Sequence, residues 1–436
     1  MADGSSIRRR LESIDAGRIN PGLDRIRTLL EALGNPQLAY PTAIIGGTNG
    51  KGSVAAMLTA ICRAAGHRVG LYTSPHLTAV EERFQVDGTP ISAAGLDAQL
   101  GVVFAAVDKL IASKRLDTPP SYFEILTAVA FRYFAAARVE LAVLEVGLGG
   151  RWDATNVTRP RVAIISSVAV DHQEYLGDDI RDIAAEKAAV IPPGGMAVTA
   201  PQEPAVLEVI RRQAESVGAT LWEAESFPTV VRRTDQYLRH TIDVVGRLRD
   251  YVGLEVSLPG AHQVENAQCA ILAAEALDRR RFRISSDAIW AGLRSAHWPG
   301  RCEWLEENPP ILLDAAHNPA AAQALASYLW ELRRRKAFDR LHLVFSTLVD
   351  KDTEGIARAL YPLADHLIAT RAPSERVTAP HELLAIGTSP TQRQAIDDPA
   401  EALAAARDAA APEDLICVCG STYLVGAVRP LLIDAC

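Results

Sequence analysis

The sequence predicts an α/β protein of two domains, each a mostly parallel sheet flanked by helices. Three observations point there. Apolar strands alternate with amphipathic helices along most of the chain. A hydrophobic strand end, Ala43-Ile44-Ile45, breaks into Gly46-Gly47-Thr48-Asn49-Gly50-Lys51-Gly52-Ser53 and then a helix, a P-loop-type arrangement. The length of 436 residues exceeds what one hydrophobic core usually serves. A hinge is expected at Ala296-His297-Trp298-Pro299-Gly300-Arg301, where Pro and Gly separate two βα series. It divides the chain into domains 1–296 and 297–436, the second smaller and Rossmann-like.

In chain order, Thr42 to Ile45 is the first expected strand. The helix from Val54 to Ala65 follows, with Gly66 as its C′ stop. Val69 to Tyr72, Leu141 to Glu145 and Val162 to Ser167 read as further strands. Alternating polarity from Thr229 to Ser257 suggests antiparallel strands on the edge of the first domain, closed by Leu258-Pro259-Gly260 and followed by a helix from Val264 to Leu277. Beyond the hinge, Ile311 to Leu313 forms a strand, and Asn318 caps a helix that has Pro319 at its first position. Leu341 to Phe345 and Leu415 to Val418 are strands of the same series.

Composition narrows the function classes. A net charge of -8 argues against nucleic acid as the main partner. Arg333, Arg334, Arg335 and Lys336 form a dense basic run, read as closing a helix. The cysteines Cys62, Cys269, Cys302, Cys417, Cys419 and Cys436 show no CxxC or zinc-like spacing, so a reduced, cytoplasmic protein is expected, with Cys417 and Cys419 packing as small hydrophobes. No apolar run approaches a membrane span.

The glycine-rich turn supplies inward backbone N–H groups, and the helix N-terminus adds partial positive charge, the build of a phosphate cradle. Lys51 is placed for terminal phosphates and Ser53 for Mg2+. Gly52, inserted between them, departs from the common Walker A form. Ligands of open parallel sheets bind beyond the carboxyl ends of strands, where Ser74, Glu145, Asp171, His172, Asp314 and His317 stand. A carboxylate beside phosphate suits Mg2+, with Glu145 the leading ligand and a helix-capping role its alternative. Ser74 is either a metal-reaching hydroxyl or a turn former before Pro75; His172 is either a ligand or a structural hydrogen-bonding residue. Lys187, taken alone, reads as a solvated surface lysine on a helix.

With these residues in view, the sequence resembles the folylpolyglutamate synthase and dihydrofolate synthase family of the Mur ligase superfamily, over nearly its whole length. The resemblance rests on Gly47-Thr48-Asn49-Gly50-Lys51-Gly52-Ser53, Thr73-Ser74-Pro75-His76-Leu77 with Glu82-Arg83, and Leu144-Glu145-Val146-Gly147-Leu148-Gly149-Gly150-Arg151-Trp152-Asp153-Ala154-Thr155-Asn156. Asp171-His172, Ala185-Glu186-Lys187-Ala188, Pro299-Gly300-Arg301-Cys302-Glu303, Leu313-Asp314-Ala315-Ala316-His317-Asn318-Pro319 and Gly420-Ser421-Thr422-Tyr423-Leu424 extend it.

It implies a P-loop-type ATPase domain followed by a glutamate-ligase domain, and an ATP- and Mg2+-dependent amide ligase joining L-glutamate to a pterin-linked carboxylate. By position, Ser74 and Glu145 look like ligands of one Mg2+ and His172 of a second. Lys187 falls where the family carries a CO2-carbamylated lysine (N6-carboxylysine). Asn266, Arg301 and Asp314 match ATP-contacting positions. The pterin or folate would meet Gly22-Leu23-Asp24, Ser121-Tyr122-Phe123-Glu124 and Trp152-Asp153-Ala154, with Phe123 either stacking on the ring or packing in the core. His317 would serve the incoming amino acid or orient Asp314.

Two departures stand out: Ser346 follows Phe345 where the family commonly has glycine, and Trp152 is bulkier than the usual residue. The implied chemistry is an acyl phosphate made from ATP and then attacked by the glutamate amine, with dihydropteroate or folate as acceptor, in a monomer. A Mur-type cell-wall ligase and a non-catalytic nucleotide-binding relative are the alternatives.

Overall fold

The computed structural model describes residues 4–14, 21–305, 307–387 and 392–433; Cys436 lies outside the described residues. The first sheet is built from β1 (Thr42–Gly46), β2 (Val69–Tyr72), β3 (Phe84–Val86), β4 (Thr89–Pro90), β5 (Leu141–Glu145), β6 (Val162–Ile165), β7 (Met196–Thr199) and β8 (Thr220–Glu223). Their order is β4-β3-β2-β5-β1-β6-β7-β8, parallel except where β3 and β4 join antiparallel at one edge. β1 lies between β5 and β6, the point where connections diverge to opposite sides. A crevice opens at such a point beyond the strand ends. Both faces are covered: Ile44 and Leu144 point into one apolar cluster, Ala43, Ile45 and Val143 into the other. That is why these strands read as continuous apolar runs rather than alternating ones.

The segment after β8 forms β9 (Thr229–Thr234), β10 (His240–Val245) and β11 (Asp250–Val256). They are antiparallel as expected and make a separate three-stranded sheet in the order β11-β10-β9. Its inner residues Ile242, Val244, Leu254 and Val256 pack in the same cluster as the helix Ala261–Leu277. The alternation recorded a one-sided sheet and carried no information about which neighbour would cover it.

The third sheet comprises β12 (Glu303–Leu305), β13 (Ile311–Asp314), β14 (Leu341–Phe345), β15 (His366–Ala369), β16 (Gln392–Ala395) and β17 (Leu415–Cys419), in the order β12-β13-β17-β14-β15-β16. Only β12 runs antiparallel. Asn318 caps the helix Pro319–Arg334 through its side-chain oxygen, as expected. Ser346, in the family's glycine position, is fully buried, and its hydroxyl accepts the Ala372 N–H at 3.0 Å, so the larger residue is accommodated by a bond. Cys62, Cys269, Cys302, Cys417 and Cys419 are free and buried. Among the described residues no helix is long and apolar enough to cross a membrane.

Candidate active site

The glycine-rich turn leaves β1 and enters the helix Lys51–Ala64, three residues earlier than the periodicity suggested. Gly50 adopts φ +85° as its N-cap, and small residues at 52 and 53 let the first turn form against neighbouring chain. Each glycine has a neighbour in the place of a side chain. A Cβ on Gly47 would lie 2.0 Å from Ser166 Oγ, one on Gly50 2.3 Å from Asn266 Oδ1, and one on Gly52 2.7 Å from Trp298 Nε1. The extra glycine that departs from the common motif is therefore the seat of an indole from the linker before the third sheet.

Thr48 and Asn49 donate their backbone N–H groups to the Ser167 carbonyl, at 2.8 and 3.2 Å. The amides of Lys51, Gly52 and Ser53, in the first helical turn, have no intrahelical carbonyl to meet and face the phosphate position. Lys51 Nζ donates to the Gly47 and Thr48 carbonyls at 3.2 and 2.9 Å. Burial lowers its pKa, and Glu145 and Asp171 oppose that shift.

Glu145 ends β5, is buried, and accepts the Ser74 backbone N–H at 3.0 Å through Oε2. It caps no helix, which removes that alternative. Burial raises its pKa while the Lys51 charge lowers it. That bond brings Ser74 next to the Glu145 carboxylate near the cradle lysine, and a hydroxyl and a carboxylate are the hard oxygen donors that fit Mg2+. Among the described residues no group of three or more His, Cys, Asp or Glu side chains is assembled for a metal.

Lys187 overturns the surface reading. It is buried, and its Nζ donates to the Gly47 carbonyl at 3.0 Å, directly under the cradle. Burial, then the charge of Lys51, pulls its pKa down to about 7. The helix Ile180–Ala188 is held close because Gly150 lets the 147–151 loop approach: a Cβ there would sit 2.6 Å from the Glu186 carbonyl. Arg151 donates to the Glu186 side chain at 2.7 Å. The helix periodicity could not reveal this, since the partner lies 140 residues away.

The third sheet closes over the cradle through polar side chains from its strand ends. Asn318 and Asn49 exchange amide hydrogen bonds of 3.0 and 3.2 Å, and Asn318 also donates to Asp171 at 3.1 Å. Lys351, in the loop after β14, donates to Asp171 at 2.8 Å, with both side chains buried. Burial works against ionisation of Asp171, but His172 and Lys351 hold its pKa well below the carboxylate range. His172 is itself pushed to about 4, first by burial and then by Lys351, so near neutrality Lys351 is the cation that matters. Lys351 escaped sequence reasoning; its one signal was a polar residue in a strand-end loop of the second series.

His317 does not orient Asp314. Its Nδ1 pairs with the Ala315 carbonyl at 2.9 Å, and burial followed by Lys351 lowers its pKa to about 4. Because a carbonyl only accepts, Nδ1 carries the proton and Nε2 has a free lone pair. Asp314 instead accepts the N–H groups of Ala316 and Cys302, both at 2.8 Å, tying β13 to the linker that carries Arg301. Asn266 donates to Gln263 at 2.9 Å, and Gln263 donates to Ser53 Oγ at 3.3 Å, placing both beside the cradle.

The expected pterin residues divide. Ser121 and Glu124 form a capping box on the helix Tyr122–Ala137, and Glu124 also accepts from Arg25 at 3.3 Å. Phe123 is half-buried, its ring 5.9 Å from that of Tyr72 and directly beneath Gly147. Trp152 is 54% exposed and available to a ligand. Asp153 and Ala154 are buried, and Asp153 is fully occupied by the N–H groups of Gly147, Leu148 and Thr155 and the Thr155 hydroxyl. It shapes the glycine loop. Leu23 packs in the core, Gly22 holds φ +118°, and the Asp24 side chain is in solvent.

Residues 45–274 match the Mur ligase middle domain and residues 300–422 the Mur ligase glutamate ligase domain. Dihydrofolate synthase/folylpolyglutamate synthase of Mycobacterium tuberculosis is 38% identical, covering 95% of this chain and 90% of its own. Folylpolyglutamate synthase of M. tuberculosis, solved with ADP and AMPPCP, superposes with TM-score 0.90 at 36% identity over 99% of both chains. E. coli FolC in complex with DHPP and ADP gives TM-score 0.88 at 31% identity, covering 100% of this chain and 98% of that one.

Proposed function

The chain belongs to the folylpolyglutamate synthase/dihydrofolate synthase family of Mur ligases, and from that premise we propose that it joins L-glutamate both to dihydropteroate and to folates. It is an ATP-dependent ligase. One observation carries the assignment of roles: the cradle is bolted to the strand-end loops of the third sheet through Asn49, Asn318, Asp171 and Lys351. Phosphate donors and the loops of the glutamate-ligase half thereby face one gap. We assign domains 1–296 and 297–436 to those two halves.

Amide formation from a carboxylate in water is uphill, so the carboxylate is activated first. A carboxylate oxygen attacks the γ-phosphorus of ATP, the bond to the β-phosphate oxygen breaks, and ADP leaves. Lys51 and the amides of residues 51 to 53 neutralise charge on the transferring group, while Asn266, beside the cradle, and Arg301 and Asp314 contact ATP. Ser74 and Glu145 would hold one Mg2+ and His172 would serve a second, and the ions would supply further charge neutralisation. The glutamate amine, having lost its proton to solvent, attacks the acyl carbon, and phosphate departs. His317, neutral at pH 7, offers Nε2 as a hydrogen-bond acceptor to the amino acid. Trp152, Tyr122 and Phe123 flank the ring. Closure excludes water that would hydrolyse the acyl phosphate.

The test is phosphate release with ATP, Mg2+ and L-glutamate, run separately with dihydropteroate and tetrahydrofolate, products identified by mass. Turnover of both is expected. Turnover of one confines the enzyme to that step; no turnover of either, with ATP still bound, overturns the acceptor assignment.

A further inference from the structure

Arg83 is a buried cation. Only 7% of the residue is exposed, and among the described residues no carboxylate pairs with it. Its Nε donates to His76 Nδ1 at 2.9 Å, and its guanidinium lies 5.6 Å from the centre of the Tyr122 ring. The His76 ring nitrogen only accepts that N–H and fixes the Nε edge of the guanidinium. Among the described residues no acceptor meets the two Nη groups.

Burying an unpaired charge is costly, and proteins ordinarily pair such groups. The location says what completes this one. Arg83 follows the Ser74 loop, to which it is tied by its carbonyl accepting the Thr73 N–H at 3.2 Å. On its other side the guanidinium lies against the Tyr122 ring at the start of the helix Tyr122–Ala137. It therefore stands between the phosphate end of the site and the helix start assigned to the pterin. An acceptor lying across that span has its carboxylate at this point.

We propose that Arg83 is the anchor for the acceptor's reacting carboxylate, taking it through the free Nη groups so that it meets the γ-phosphate already neutralised. The anchor rests on the reading of the chain as a ligase of pterin-linked carboxylates. A planar fork matches a carboxylate in a way that an ammonium does not, and Nε is held by His76 so that the Nη edge is fixed. Without such a cation, a carboxylate approaching a triphosphate is repelled.

The experiment is calorimetric titration of the ADP-bound enzyme with dihydropteroate and with its neutral carboxamide, for wild type, Arg83→Met and Arg83→Lys. Wild type is expected to prefer the acid by about 30-fold, the worth of a charge-assisted contact. Arg83→Met is expected to lose that preference while binding the carboxamide and ADP as wild type does. Equal weakening of acid and amide would show Arg83 to be a packing residue and overturn the anchor, as would an unchanged preference. If Arg83→Met also loses ADP, Arg83→Lys decides: a reduced preference supports the anchor, and wild-type affinity for both ligands overturns it. Wild type binding neither pteridine would overturn the ligase reading beneath it, a separate failure.

Discussion

Lys187 should react with CO2 at neutral pH. Burial beneath the cradle and the neighbouring Lys51 charge take its pKa from 10.5 to about 7. At pH 7 the uncharged fraction rises from roughly 0.03% to about half, a gain of about a thousandfold in the nucleophilic form. The Nζ lone pair attacks CO2, an N–C bond forms and one proton leaves. The product is an anion next to Lys51, so the repulsion that lowered the amine's pKa becomes attraction.

In the unmodified protein, the unfolded chain keeps the Lys187 proton up to about pH 10.5 and the folded one releases it near 7. Its contribution to stability therefore rises with pH across that window. The assay is carbon NMR of enzyme equilibrated with 13C-bicarbonate, paired with turnover after CO2 removal. A carbamate resonance should appear in wild type and be absent from Lys187→Ala, and turnover should fall on stripping and return with bicarbonate. Lys187→Ala should lose activity and regain part of it with small carboxylates. No resonance together with bicarbonate-independent turnover would refute the reasoning.

Lys51→Ala should abolish turnover with thermal unfolding close to wild type, because the side chain bonds only two loop carbonyls of its own turn; near-normal activity would sink the cradle assignment. Lys351→Met leaves the buried Asp171 carboxylate without its cation and should cost about 3 kcal/mol in denaturant unfolding, the scale of a broken buried pair; a loss under 1 kcal/mol would show the pair to be solvated. Asp171, ionised well below the usual range, stabilises the wild type above its unfolded pKa of about 4 and loses that contribution on further acidification. His317 has the opposite origin but the same slope: lowered to about 4, it favours the fold less as pH falls from 6.5 toward 4. Denaturation midpoints for His317→Gln should be flatter than wild type across that range, and parallel curves would refute the assignment.

What sequence by itself determined here is whatever local pattern encodes. Alternating apolar strands and amphipathic helices placed β2, β5 and β14 at their observed bounds. Asn318 and Pro319 announced a helix start, and glycines 47, 50 and 52 announced a turn too tight for side chains. The strand-end rule drew attention to Glu145, Asp171 and His317, because parallel sheets expose their carboxyl ends to ligands whatever the rest of the chain does. The family motifs carried further roles, Lys187 above all, against its own local pattern.

Tertiary structure alone decided which polar residues are free and which are occupied. Asp153 carries a motif position yet is filled by loop donors, while Arg83, in the same class of motif, is buried and pairs with no carboxylate among the described residues. Lys187 and Lys351 look like ordinary lysines until partners 140 and 180 residues away are folded against them. Charge burial and pairing are properties of contacts between distant segments. No local window of sequence contains both members of such a pair, so these facts exist only once distant segments are folded against each other.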